Sequence, residues 1–191
     1  QKIRQFPESR VYPYGLYKGA WALYNLQKPK EGLGQLEEVV AYGKTDSASE
    51  NRLDLTREAL DDMVVFYEDV KDPGDAVSYF RKQGGDERAG GLVLKLGKLY
   101  QRHGKYKHLE TAFTDLLSHL PLASERPEIH TDLMEAFDAT NRKQKTVEHL
   151  ELLSDLCLPD SAWSKNHKLE DMNRCWYNLE EAGKKYASKW H

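Results

Sequence analysis

The side chains able to do chemistry are few, and their spacing serves it poorly. His103 and His108 flank Gly104, with Glu110 just beyond. A zinc site needs three or four converging ligands. Two histidines on either side of a turn do not converge, so they read as ordinary loop histidines. His167 and His191 have no partner pattern at all. Cys157 and Cys175 belong to no CxxC pair, and neither has an adjacent histidine to activate a thiolate. Acids such as Asp61-Asp62 and Glu180-Glu181 are neighbours in sequence. On a helix their side chains diverge, which makes them poor acid–base partners. Gln83-Gly84-Gly85-Asp86 follows a helical stretch and reads as a glycine C-cap and turn rather than a phosphate loop. The Walker, GxSxG, HExxH and dinucleotide motifs do not occur. The expectation is a non-enzyme with no catalytic residues, no metal and no cofactor.

Composition narrows the class further. The chain has 191 residues, 39% hydrophobic and 31% charged, with 4 Trp, 11 Tyr and 5 Phe. The aromatics argue against disorder. The high polarity suits a thin stack with much surface per residue. A net charge of -3 gives no electrostatic case for nucleic acid or for a polybasic membrane surface. No apolar run is long enough to span a bilayer, so direct membrane insertion is not expected. Residues 1–10 lack the apolar centre of a signal peptide, and the missing initiator Met suggests a processed or excised chain. Cys157 and Cys175, 18 residues apart, could meet on neighbouring antiparallel helices. Two buried thiols are the simpler expectation, and a disulfide is the alternative.

Helical periodicity dominates, with no sustained two-residue alternation. Helices are expected over about 14–26 and 30–42, separated at Lys28-Pro29, where proline disfavours helix in the residue before it. A polar loop over 43–51 follows. Further helices are expected over 53–70, 76–82, 88–102, 106–120, 128–140 and 143–156, then one or two more to the end. Lys71-Asp72-Pro73-Gly74, His103-Gly104-Lys105 and Pro121 mark turns. Asp160 or Ser161 is a candidate N-cap.

The third pair has a specific pattern: Leu96-Gly97, Tyr100, Gly104, Leu109, Phe113 and Pro121. Gly97 permits close helix approach, Gly104 permits a positive φ, and Leu109 and Phe113 bury one helix face. This pattern resembles the tetratricopeptide repeat. Val93 stands where that repeat has Trp, and Leu109 where it has Ala. The same skeleton fits Ala20, Gly32, Leu36; Val64, Ala76, Phe80; and Met134, Thr146, Leu150. The intervals between the first members of successive sets are 44, 33 and 37 residues. The resemblance implies an all-α, right-handed superhelical solenoid of antiparallel helix pairs. Its repeats would cover about 13–43, 53–84, 88–121 and 127–158, with C-terminal helices over 160–191, in one domain that is a fragment of a longer repeat protein. The segment from Cys175 to His191 resembles, in texture, large repeat proteins of the bacterial cell envelope associated with motility or outer-membrane machinery. That resemblance implies an envelope or periplasmic location, with the cytoplasm as the alternative.

In such a fold the first helices of successive pairs line a concave groove. The groove-facing residues would be Tyr14, Tyr17, Trp21, Tyr24 and Asn25 in the first repeat. Glu58 and Asp61 follow in the second, beside Val65, Glu68 and Asp69, and Lys98 and Arg102 in the third, beside Gly91, Leu94 and Gln101. Glu128, Thr131, Glu135 and Asp138 continue the face. The aromatic stripe suits a binding hot spot, or packs on an N-terminal cap at residues 3–11. The charges suit a partner segment or a merely solvated face. Tyr17 and Trp21 stand where repeats that clamp chaperone carboxylates have Lys and Asn, which argues against that ligand. The expected function is a protein or peptide scaffold, and the alternative is a structural segment that self-associates through its exposed ends.

Overall fold

The computed structural model describes residues 2–44 and 54–190. Among these residues there are ten α-helices, short 3-10 turns at Lys2–Gln5 and Pro73–Asp75, and no strand. The chain is all-α, and its helices pack in pairs. The first pair is α1 (Tyr12–Asn25) and α2 (Pro29–Gly43), and the second α3 (Thr56–Val70) and α4 (Ala76–Gly84). The third is α5 (Asp86–Arg102) and α6 (Tyr106–His119), and the fourth α7 (Arg126–Ala139) and α8 (Lys143–Leu156). A single turn, α9 (Ala162–Lys165), leads into the long α10 (Leu169–Trp190), which lies on α7 and α8. The loop expected over 43–51 falls mostly on residues outside those described.

Local chemistry accounts for the helix ends. Prolines open α1, α2 and α7, where the missing N–H costs nothing. Ser161 caps α9, its Oγ accepting from Ser164 N–H at 3.0 Å. Three of the four intra-pair turns share one geometry. Gln27, Gly104 and Asn141 have φ of 60°, 68° and 58°. In each turn the next N–H bonds back five residues: Lys28 to Leu23, Lys105 to Tyr100 and Arg142 to Phe137, at 2.9, 2.8 and 2.7 Å. This is the Schellman C-cap. Only one of the three uses glycine, so the other two are paired with an ordinary side chain held in a left-handed conformation.

The four sets of core positions foreseen from sequence are interior, apart from Leu150, which is half-buried. A β-carbon on Gly97 would lie 2.0 Å from Phe113 Cζ, so α5 and α6 approach as closely as glycine allows. The second pair differs, because Val64 occupies the equivalent place. There α3 and α4 meet chiefly through side chains, with the Tyr67 ring 5.0 Å from Tyr79 and 5.2 Å from Phe80. One apolar core runs from Leu16 in α1 to Phe137 in α7. A second joins α7 and α8 to α10 through Met134, Leu153, Trp163, Met172 and Tyr186.

The cysteines overturn the simpler expectation. Cys157 and Cys175 are bonded to each other and are not free thiols. The bond joins the C-cap of α8 to the buried face of α10. Trp176 Nε1 also donates to Cys157 O at 3.0 Å.

Candidate functional site

The expected groove residues lie on α1, α3, α5 and α7, and α10 extends the same row by packing beside α7. Their environments differ. Tyr14 is 46% exposed, with Lys18 Nζ 5.4 Å from its ring centre. Tyr17, Trp21 and Tyr24 are half-buried and turn toward α3. Trp21 Nε1 donates to Asp62 Oδ2 at 2.8 Å, and the Tyr17 hydroxyl donates to the same oxygen. Trp21 and Tyr24 rest on Phe66, ring centres 5.1 and 4.8 Å away. Burial and the Asp62 hydrogen bond raise the Tyr17 pKa. Burial and a hydrogen bond to Asp69 push Tyr24 up to about 12. Tyr17, Trp21 and Tyr24 therefore pack on α3 of the next pair, while Tyr14 stays outside that contact. Asn25, Glu58 and Arg102 are exposed.

The charged positions are largely paired across neighbouring helices. Asp61 Oδ1 lies 3.0 Å from Lys95 Nζ and 3.8 Å from Arg88 Nη2. Lys98 pairs with Glu128, which holds the Lys98 pKa above its usual range. Gln101 donates to Glu135 at 2.8 Å, and Lys185 of α10 reaches the other Glu135 oxygen at 2.7 Å. Lys189 Nζ meets Asp138 at 2.6 Å. The alternation of charge along the face thus serves to join successive helices. Exposed pairs of this kind contribute little each, about 0–1 kcal/mol.

Glu68 is deeper. Its side chain is 3% exposed, with Oε1 2.7 Å from His103 Nδ1 and 3.0 Å from Lys105 Nζ. It ties the end of α3 to the α5–α6 turn. Between α7 and α10 the face opens into a cleft of about 280 Å3 lined by Thr131, Glu135, Asn178, Glu181, Lys185 and Tyr186. The Tyr186 hydroxyl is buried and has no hydrogen-bond partner among the described residues.

Asp62, Phe66, Lys95, Lys185 and Lys189 were not anticipated at this face. One signal could have found part of it: Gln101 and Glu135 are 34 residues apart, one repeat length. Asp62 sits beside Asp61 in sequence, and only its three-dimensional contact with α1 distinguishes the two.

Among the described residues no three His, Cys, Asp or Glu side chains are grouped to hold a metal, and no helix is long and apolar enough to cross a membrane. No protein-family model, curated protein or solved structure matches this chain.

Proposed function

We propose that this chain is a non-catalytic protein-interaction scaffold of the tetratricopeptide kind. In this reading it is a right-handed superhelical stack, holding a peptide or partner domain against the face of α1, α3, α5, α7 and α10. The observation that supports it most is a repeated spacing. Ala20, Gly97 and Met134 are buried helix-contact positions, and each is followed seven residues later by the left-handed residue of its turn, Gln27, Gly104 and Asn141. Such repetition of one supersecondary unit is the hallmark of solenoids, whose extended faces bind other chains. The disulfide supports folding in an oxidising compartment such as the cell envelope.

Surface residues that bear no core contact are the ones to vary. Tyr14→Ala combined with Glu58→Lys is expected to leave the helical circular dichroism and melting temperature unchanged while lowering recovery of specific partners from the native host. An unchanged partner set would sink the reading.

A second reading, self-association through an exposed end, is favoured by one feature. Between α8 and α10 lies an apolar cleft of about 300 Å3 lined by Leu150, Gly183, Tyr186, Ala187 and Trp190. Under that reading light scattering finds a concentration-dependent dimer, and Ala187→Glu returns it to monomer.

A further inference from the structure

We infer that the edge formed by the α5–α6 and α7–α8 turns docks an acidic peptide segment. This surface borders the helix face discussed above, sharing only Arg102 with it, and does not depend on that reading.

The two turns are neighbours in space. Glu110, in the first turns of α6, pairs with Arg142 at 2.6 Å and Lys145 at 2.7 Å, both at the start of α8. Six cations collect there: Arg102, Lys105, Lys107, Arg142, Lys143 and Lys145. Among the described residues only Glu68 and Glu110 are paired with members of this group. With the histidines neutral, six cations against two carboxylates leave a local charge of +4, in a chain whose net charge is -3. Charge is therefore segregated, which the total conceals. The α3–α4 turn beside it holds Asp72 and Asp75 against Lys71, so the positive stretch ends there.

The placement of the cations is unfavourable for the fold itself. Helix N-termini carry a partial positive charge and favour acids. Yet α6 and α8 begin with no acidic residue in the first turn and no side-chain cap. Lys107 and Lys143 occupy those turns instead, and both are exposed. By contrast α5, which starts at the opposite edge, opens with Asp86 and Glu87. Side chains and helix ends at this edge thus add to one positive field, and a carboxylate-rich ligand relieves it.

The surroundings select among anions. None of the exposed large hydrophobic residues lies at 102–108 or 141–145. The rings nearest these cations are already covered by them: Arg142 and Lys145 lie over the buried Phe137 ring at 4.6 and 5.2 Å, and Lys143 lies 5.8 Å from the ring centre of the half-buried Trp190. The cations rather than open ring faces or apolar wedges therefore meet a ligand here, which favours carboxylates over stacked bases or a lipid surface. Neighbouring helices are about 8–10 Å apart, and an extended chain spans about 3.3–3.6 Å per residue. A short run of Asp or Glu covers both turns.

The test is fluorescence anisotropy with a labelled oligoglutamate peptide, at low and at physiological ionic strength. The variants are Lys107→Glu and Lys143→Glu combined, and a control with the same charge change elsewhere, Lys82→Glu and Lys165→Glu. The peptide is expected to bind the parent chain, more weakly as salt rises. The edge variant is expected to lose about tenfold or more in affinity, while its melting temperature holds or rises because two helix ends gain acids. The control is expected to bind like the parent. If the edge variant fails to fold, the corresponding Gln variants provide the same comparison. Unchanged affinity in the edge variant overturns the inference. So does an equal loss in the control, or tighter binding of phosphatidylglycerol vesicles or a single-stranded DNA oligonucleotide than of the peptide.

Discussion

Gly97 and Phe113 hold α5 and α6 together by direct contact of ring and backbone: a β-carbon at 97 would lie 2.0 Å from Cζ and 2.1 Å from Cε1. The ring is fully buried and cannot swing into solvent. Gly97→Ala therefore forces the pair apart, and chemical denaturation is expected to show a loss of about 1–3 kcal/mol. Adding Phe113→Leu should recover part of it. If the double variant is simply the sum of the singles, the two residues are not coupled as described.

The recurring turn makes an opposite pair of predictions. Gly104 has φ 68° and Gln27 φ 60°. A left-handed residue with a β-carbon costs about 1–2 kcal/mol. Gly104→Ala should lower stability by roughly 1 kcal/mol, whereas Gln27→Gly should raise it slightly. Thermal melts of the two variants moving in the same direction would contradict the shared geometry.

Asp62 accepts from both Tyr17 and Trp21. Asp62→Ala leaves two half-buried donors without an acceptor, at a cost of about 1–3 kcal/mol. Because Trp21 turns toward α3, its fluorescence should shift to the red in this variant as α1 loosens. An unshifted spectrum would mean that α1 docks without Asp62.

The Cys157–Cys175 bond closes a loop of 18 residues. The chain-entropy model assigns such a loop about 3 kcal/mol. Replacing both with Ser is expected to lower stability by that order and to speed amide exchange in α10 more than in α5. Uniform exchange across the two helices would show that α10 is held mainly by its apolar contacts.

Two buried groups oppose each other in their response to pH. Burial, then the neighbouring His149 and Arg126, lower the His130 pKa to about 3 from 6.5. Between those values the unfolded chain binds the extra proton, so His130 lowers stability as pH falls below 6.5. Burial raises the Asp132 pKa from 3.8 to about 7. Between those values the folded chain binds the extra proton, so Asp132 raises stability as pH falls from 7 toward 3.8. Each acts with a slope of up to about 1.4 kcal/mol per pH unit, and they largely offset. Asp132→Asn should therefore steepen the loss of stability between neutral and mildly acid pH, and His130→Gln should flatten or reverse it. Urea titrations across that range check both signs, and parallel profiles for the two variants would refute the opposition.

Much of this architecture was legible in the residues themselves. Apolar spacing located the helix pairs, because a helix that buries one face must repeat its large residues at three and four. Pro29, Pro127 and Gly104 announced turns by constraints on φ that act within a few residues. Gln27 and Asn141 gave no such notice. Their conformation is imposed by the helices they join, not by their own preference.

Sequence alone determined the helical class, the pairing of helices and the set of core positions, since these follow from local periodicity. Only the tertiary structure decided which charges oppose each other, that Cys157 meets Cys175, and that Trp21 rests on Phe66 and Asp62. Those contacts join residues 18 to 51 positions apart. Their partners are selected by how one helix pair stacks on the next, a geometry that no short window of sequence contains.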